Sequence, residues 1–145
     1  MTPPEVLKSF HDMELGASAE HSAVVDAEVI RAYAQLSGDH NPIHEDADYA
    51  AATRFGRPVA HGLLVAGYVQ TALTKIVAPG GVSTSYQFDL KAPAFAGAAV
   101  TAHAVCAHLD PVAHRATFAI TVVDDTTRKQ LISGSAVVAF PKGEK

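Results

Sequence analysis

Hydrophobic and polar residues alternate with a period of two through most of the second half of the chain. Between Arg115 and Val123, for example, Ala116, Phe118 and Ile120 alternate with threonine and alanine. This repeat is typical of strands in a sheet that buries one face. Segments rich in turn-forming residues separate the alternating stretches. Four strands are therefore predicted, at Val82–Ala92, Val100–Leu109, Arg115–Val123 and Gln130–Phe140.

A long hydrophobic segment from His61 to Val77 precedes these strands and predicts a helix. Its polar residues leave only a narrow edge, so the helix has to be buried. At 1.5 Å per residue the segment extends for roughly 25 Å, which is enough to lie along a sheet. The helix is expected to stop at Pro79, Gly80 and Gly81.

The first part of the chain has a less regular pattern. Met1–His11 contains two prolines and is predicted to be a loose lead-in, while His21–Val25 is predicted to form a short strand. Asp26 is a suitable N-cap for the helix that follows. One face of this helix presents Val29, Ile30, Tyr33 and Leu36.

Asp46 or Asp48 is suited to cap another short helix, over Tyr49–Thr53. An early strand, one long helix and a run of four antiparallel strands indicate an α+β fold in which the sheet wraps around the helix. A length of 145 residues suits one domain, so a single domain is predicted over residues 1–145.

The candidate chemistry lies in Leu36–His44, which reads LSGDHNPIH and contains an acid, an amide and two imidazoles. Pro42 lacks a backbone N–H and disfavours helical dihedral angles at Asn41, so this segment is not expected to continue a regular helix. An irregular backbone is therefore expected to display Asp39, Asn41 and His44. A carboxylate and an imidazole that meet at one water can take its proton and return one elsewhere, as hydration of an activated double bond requires.

The same residues also suit a simple turn. Asp and Asn side chains accept hydrogen bonds from nearby backbone N–H groups, and proline restricts the backbone in the same region. Short motifs of this kind also occur without a function. Taken by itself, the segment therefore favours turn chemistry over catalysis.

A longer stretch, Tyr33–His44, resembles the hydratase 2 motif of the MaoC-like family, the (R)-specific enoyl-CoA hydratases. The resemblance continues through Phe55–Leu64 and, more weakly, through Leu90–Gly97, and it extends from about Val24 to Phe140. It implies the hot-dog fold, in which the sheet wraps around a central helix. It also implies a homodimer, with sites near the boundary between the subunits.

For the reaction, the resemblance implies hydration of a trans-2-enoyl-CoA to an (R)-3-hydroxyacyl-CoA, and the reverse dehydration. It assigns Asp39 and His44 as the catalytic pair, with Asn41 orienting the water or the pair. Gly62 matches the residue whose backbone N–H stabilises the thioester oxygen. A glycine at a helix start suits this role because the thioester can approach closely and the first N–H groups are unbonded. The alternative for Gly62 is packing of the helix against the sheet.

The acyl chain is expected to lie along the long helix, with Val65, Val69 and Gln70 as its predicted contacts. His61 is either a further residue near the substrate or a hydrogen-bonded structural histidine. The expected ligand is an acyl-CoA thioester. Because coenzyme A is part of this substrate, no separate cofactor is predicted.

A metal site was considered for His40 and His44, whose spacing of four residues suits a metal on a helix, with Asp39 as a third ligand. Pro42 interrupts the helix that this spacing needs, so no metal is predicted.

Composition argues against several other functions. The net charge is −4 and no cluster of lysines and arginines occurs, which argues against binding to nucleic acid. The longest apolar region, Val59–Val77, contains too many polar residues for a membrane span. Cys106 is the only cysteine, which excludes an intramolecular disulfide, and the first residues lack the pattern of a signal peptide. A cytoplasmic location is therefore predicted.

Three other functions compete with this interpretation. A thioesterase of the hot-dog fold normally has a catalytic carboxylate on or near the central helix, but Phe55–Val77 contains no Asp or Glu. The acyl-carrier-protein dehydratases of this fold place an acid on the same helix, which this chain also lacks. A protein that only binds acyl-CoA has no need for an acid beside an imidazole. The residues therefore favour the hydratase.

Overall fold

The computed structural model describes residues 7–142. A single 3-10 turn, Phe10–Asp12, precedes the larger elements. These are β1 (Ser18–Val25), α1 (Ala27–Ser37), α2 (Pro42–Glu45), α3 (Ala47–Ala51), α4 (Gly62–Val77), β2 (Val82–Leu90), β3 (Ala98–Asp110), β4 (Arg115–Asp124) and β5 (Gln130–Ala139).

In this part of the chain, the strands form one antiparallel sheet in the order β1-β3-β4-β5-β2. The four predicted strands and the early strand are confirmed, and each ends within a few residues of its predicted bounds. Alternation was the clearest signal for β4, which buries every second residue, whereas β2 contains no buried residue. In β4, Ala116, Phe118, Ile120 and Val122 are all buried, as predicted.

The long helix α4 packs against β1, β2, β3 and β4, so the sheet wraps around it and the α+β class is confirmed. The helix begins at Gly62 because His61 is its N-cap. It is buried on one side only, with Val69 and Leu73 fully inside, whereas Leu63 is 68% exposed. The prediction of a helix buried almost all round is therefore wrong for the single chain, since the sheet covers only one face.

Two predictions for the first part of the chain are also wrong. Residues 7–11 are not loose, because Phe10 is buried in the core and its ring stacks on His114 with the centroids 5.0 Å apart. The first six residues of the predicted lead-in lie outside the described residues. Leu36 is 86% exposed, and the buried face of α1 instead contains Ile30 and Ala34, one helical turn apart.

Most of the buried hydrophobic residues form one continuous cluster around α4. Cys106 belongs to it, and burial raises the pKa of its thiol. No helix within residues 7–142 is both long and apolar enough to cross a membrane. The assignment of residues 1–145 to a single domain stays a prediction.

Candidate active site

A tight turn after α1 presents the candidate acid. Gly38 ends the helix with a φ of 83°, a left-handed conformation that glycine adopts without strain. The backbone N–H of Asp39 then donates to Ser37 Oγ at 3.2 Å, and Asp39 Oδ1 accepts the N–H of Asn41 at 3.1 Å. One carboxylate oxygen of Asp39 is thus used to hold the turn, while Oδ2 remains available for other contacts.

The backbone around His44 is more regular than predicted. Pro42 occupies the first turn of α2, where its missing N–H removes no helical hydrogen bond. The side chain of Asn41 caps this helix by accepting the N–H of Ile43 at 3.2 Å. His44 therefore lies on a one-turn helix, and the expectation of an irregular backbone is wrong for it. Asp39 and Asn41 do accept the backbone hydrogen bonds of a simple turn, which was the alternative to catalysis. The turn and the candidate site therefore occur in the same segment.

A backbone carbonyl determines which nitrogen of His44 is available. His44 Nδ1 lies 2.6 Å from the carbonyl oxygen of Val59, which can only accept a hydrogen bond. The proton therefore sits on Nδ1, and in the neutral ring Nε2 carries a lone pair. Such a nitrogen is suited to take a proton from water.

His61 lies between the two candidate catalytic residues. It is 3% exposed, and its Nε2 donates to the backbone carbonyl of Asp39 at 3.0 Å. Its ring stacks on that of His44, with centroids 3.7 Å apart and planes inclined by 27°. Tyr33 completes the group, with its ring 4.8 Å from that of His61. The interpretation of His61 as a hydrogen-bonded, buried histidine thus fits its surroundings better than direct contact with substrate.

The candidate residues meet at one cavity of about 330 Å³. Residues that line it include four predicted ones, Asp39, His44, His61 and Gly62. A second cavity, of about 290 Å³, shares Gly62 and Leu90 with the first. The structure therefore joins two segments that are far apart in sequence, the α1–α2 turn and the start of α4.

Gly62 is the first residue of α4, next to an N-cap that makes no side-chain hydrogen bond to the helix. A Cβ at this position would lie 2.6 Å from Leu90 Cδ1, the end of a side chain that is itself 57% exposed. The close contact is thus with a flexible group at the cavity wall and not with the sheet backbone. The contact involves a side chain of β2, so both the role of Gly62 at the thioester oxygen and the packing alternative stay predictions.

Four residues of the first cavity were not predicted as site residues from the sequence, Tyr33, Ser37, Leu63 and Leu90. Tyr33 and Ser37 lie within Tyr33–His44, the stretch that resembles the hydratase 2 motif. The length of this resemblance already indicated that they belong to the site region. Leu90 lies in the weaker segment at the end of β2 and reaches the cavity only because β2 runs beside α4. Nothing in its local pattern indicates this.

The three residues predicted to contact the acyl chain lie in different surroundings in the structure. Val65 lines the second cavity. Val69 is fully buried in the core one turn further along α4, and Gln70 points to the exposed side, where it accepts a hydrogen bond from Ser83 at 3.0 Å. Neither Val69 nor Gln70 lines the two cavities, because the helix turns them away from this end of the sheet. Their contact with an acyl chain stays a prediction.

The potential metal ligands were also considered. Asp39, His44 and His61 offer ligand atoms that lie within 4.8 Å of one another, whereas His40 instead pairs with Glu45 at 3.1 Å. The rings of His44 and His61 are stacked and nearly parallel, so the lone pairs in their planes run side by side. A tetrahedral metal site needs lone pairs that converge on one point. These residues therefore do not fit a resident metal ion.

Comparison with known proteins identifies the class and then the family. The (R)-hydratase from A. caviae involved in PHA biosynthesis has a structure that matches with a TM-score of 0.84 at 32% identity, covering 89% of this chain and 98% of that one. The chain thus has the hot-dog fold. Residues 11–129 match the family described as MaoC like domain, and the chain belongs to this family.

Two curated relatives match almost the whole chain. A 3-hydroxybutyryl-CoA dehydratase from Methylorubrum extorquens is 33% identical over 147 residues, which cover 100% of this chain and 92% of that protein. An (R)-specific enoyl-CoA hydratase from Rhodospirillum rubrum is 34% identical over 137 residues, which cover 94% of each chain. The names of both relatives describe the addition or removal of water at a coenzyme A thioester.

Proposed function

We propose that this protein is an (R)-specific enoyl-CoA hydratase, which adds water to a trans-2-enoyl-CoA and catalyses the reverse dehydration. The observation that carries the proposal is the shared cavity of Asp39, His44 and the start of α4 at Gly62. An acid, a base and unbonded backbone N–H groups are the three elements that this reaction needs. The two relatives described above support the same reaction.

The proposed reaction forms two new bonds, one from the water oxygen to C3 and one from a proton to C2. His44 Nε2 or the free oxygen of Asp39 takes a proton from water as the water oxygen forms a bond to C3 of the substrate. The electrons of the C2–C3 double bond then move toward the thioester carbonyl, and the backbone N–H of Gly62 stabilises the negative oxygen. The proton taken from water is then delivered to C2, either by the residue that received it or after transfer to the other member of the pair, so both residues return to their starting states and the hydration is complete.

A third cavity supports a coenzyme A thioester as substrate. This cavity, of about 490 Å³, shares Ala92 and Pro93 with the second one, and its lining includes Arg57 and Lys129. Two cations at this end can bind phosphate groups of coenzyme A. The three adjoining cavities then provide space for the phosphates, the linker and the reacting thioester.

The test is to mix the purified protein with crotonyl-CoA and to follow the conjugated double bond and free thiol together. Loss of the double bond with thiol unchanged, and an (R)-3-hydroxy product on chiral analysis, is the expected result. Release of thiol would instead identify a thioesterase. Unchanged double bond and thiol, with retained binding of the ligand, would identify a binding protein. Repeating the chiral analysis across acyl lengths would define the range of substrates.

A homodimer is part of the proposal. Among residues 7–142, strand β2 lies at one edge of the sheet, and the outer backbone groups of its nine residues have no strand partner. On this strand Val82, Tyr86 and Leu90 are exposed by 65%, 43% and 57%, and Leu63 on α4 is exposed by 68%. A second copy that pairs its own β2 with this edge would cover both features in a closed, two-fold arrangement.

Sedimentation equilibrium is therefore expected to give twice the chain mass of 15.1 kDa. Tyr86→Lys places a charge on the exposed face of β2 and should shift the equilibrium toward the monomer, whereas Val112→Lys, at an exposed position far from β2 in the sheet order, should not. A monomer at micromolar concentration would contradict the homodimer.

We propose further that the reaction uses no metal or separate cofactor, which the stacked arrangement of the two histidines supports. The predicted cytoplasmic location is retained as a proposal. It is supported by a single buried cysteine, which requires no oxidising compartment.

A further inference from the structure

His61 contacts both members of the catalytic pair without facing solvent itself. We infer that His61 is a positioning residue, which holds the Asp39 turn by a hydrogen bond and the His44 ring by stacking. This inference rests on the proposed hydratase function. It differs from the sequence prediction, in which His61 was a residue near the substrate or a purely structural histidine.

The hydrogen bond from His61 acts on the backbone of Asp39. Within the turn, Asp39 is held at three points: its N–H by Ser37 Oγ, its Oδ1 by the N–H of Asn41, and its carbonyl by His61 Nε2. The first two partners belong to the same short turn and move with it. The bond from His61 alone ties the turn to α4, which is anchored in the core.

The stacked ring acts on His44. The hydrogen bond from Nδ1 to Val59 fixes one point of the His44 ring but leaves it free to rotate about that point. The ring of His61, 3.7 Å away and nearly parallel, restricts this rotation. His44 Nε2 is thereby held in one direction. Correct direction matters because a shift of about 1 Å in a reacting group can lower the rate by roughly a hundredfold.

The second ring nitrogen of His61 explains why a simple core role is insufficient. Within residues 7–142, His61 Nδ1 is buried and makes no hydrogen bond. A buried nitrogen without a partner is unfavourable for stability, and an apolar residue of similar size would avoid it. The imidazole is the side chain that combines a ring for His44 with a donor for Asp39. The two contacts together explain why histidine occupies position 61 although an apolar residue would be more favourable for stability.

Three substitutions separate the two contacts. His61→Gln keeps an N–H donor for the Asp39 carbonyl but lacks a ring, His61→Phe keeps a ring but lacks the donor, and His61→Ala lacks both. We expect kcat for crotonyl-CoA hydration to fall roughly tenfold in the Gln and Phe variants and roughly a hundredfold in the Ala variant. KM should stay within about threefold of the original value. His108→Gln, an exposed histidine of β3, is the matched control and should leave both constants unchanged.

A second readout does not depend on activity. The ring proton signals of His44, measured by NMR on isotope-labelled protein, report through their contacts with neighbouring residues whether the ring keeps one orientation. These contacts should stay fixed in the Phe variant and be averaged in the Gln variant, because only the Phe variant keeps a ring against His44. The measurement needs folded protein only, so a failure of the proposed hydratase function would not affect it.

Three outcomes would overturn the inference. The first is a kcat in His61→Ala equal to that of the unchanged protein. The second is a change confined to KM, which would indicate that His61 contacts the substrate. The third is an equal fall in kcat in all three variants, accompanied by a fall in melting temperature, which would indicate a purely structural role. If His61→Ala does not fold, the Gln and Phe variants still decide through the His44 ring signals. If the unchanged protein does not hydrate crotonyl-CoA, the hydratase proposal fails and these signals decide the role of His61.

Discussion

Replacement of Asp39 by asparagine is expected to lower the rate of crotonyl-CoA hydration at least about a hundredfold, with the fold intact. The amide has the shape of the carboxylate, and its oxygen can still accept the N–H of Asn41 that holds the turn. It cannot take a proton at the other oxygen position. The loss should therefore appear in kcat, while the melting temperature changes little.

The matched control is Asp48→Asn, which removes one negative charge from an exposed position in the first turn of α3. Asp48→Asn should keep full activity. A loss of activity in Asp39→Asn then arises from the position of the carboxylate and not from the change in net charge. A fully active Asp39→Asn protein would remove the carboxylate from the mechanism.

The replacement of His44 by alanine is expected to have an effect of the same size or larger. Alanine removes the Nε2 lone pair and, with it, the nitrogen that the Val59 carbonyl keeps available for proton transfer. It also leaves space at the cavity wall. Added imidazole should therefore restore part of the rate, and kcat should be measured with and without it.

His40→Ala is the matched control for this variant. His40 is four residues away and exposed, and its ring pairs with Glu45 outside the cavity. Its loss should leave hydration unchanged. A His44→Ala protein with full activity would show that Asp39 acts with another partner, and Tyr33 would then be the next candidate at this cavity.

Most of the sheet and the long helix could be predicted from the sequence because burial imposes a local period. Strand β4 buries every second residue, and α4 buries one face against the sheet, so both patterns are visible in short stretches. Asp26 is a further example, since its side chain does cap α1 by accepting the N–H of Val29 at 2.9 Å.

Predictions failed where burial depends on a distant segment. Leu36 fits the apolar face of α1 but lies beyond the part of the helix that other elements cover, and it is exposed. Phe10 was assigned to a loose lead-in, yet it is buried against His114 at the far end of the chain. The exposed face of α4 was also not predicted, because the apolar pattern does not indicate how much of the helix one sheet can cover.

The order of residues alone is sufficient to predict the fold class and the reaction. Period-two strands around one apolar helix indicate the class, and the stretch from Tyr33 to His44 carries the resemblance to the hydratase 2 motif that implies the reaction. Both signals are local in sequence. For this reason they can be recognised without knowing which residues meet.

Only the folded chain shows how the site is assembled, because its contacts join segments that are separate in sequence. The carbonyl of Val59 selects the free nitrogen of His44, and His61 links the Asp39 turn to the core. Leu90 reaches Gly62 from the end of a strand that follows α4. Hydrogen bonds and stacking depend on distances of 3 to 4 Å between atoms, and no periodic pattern in a sequence specifies such distances.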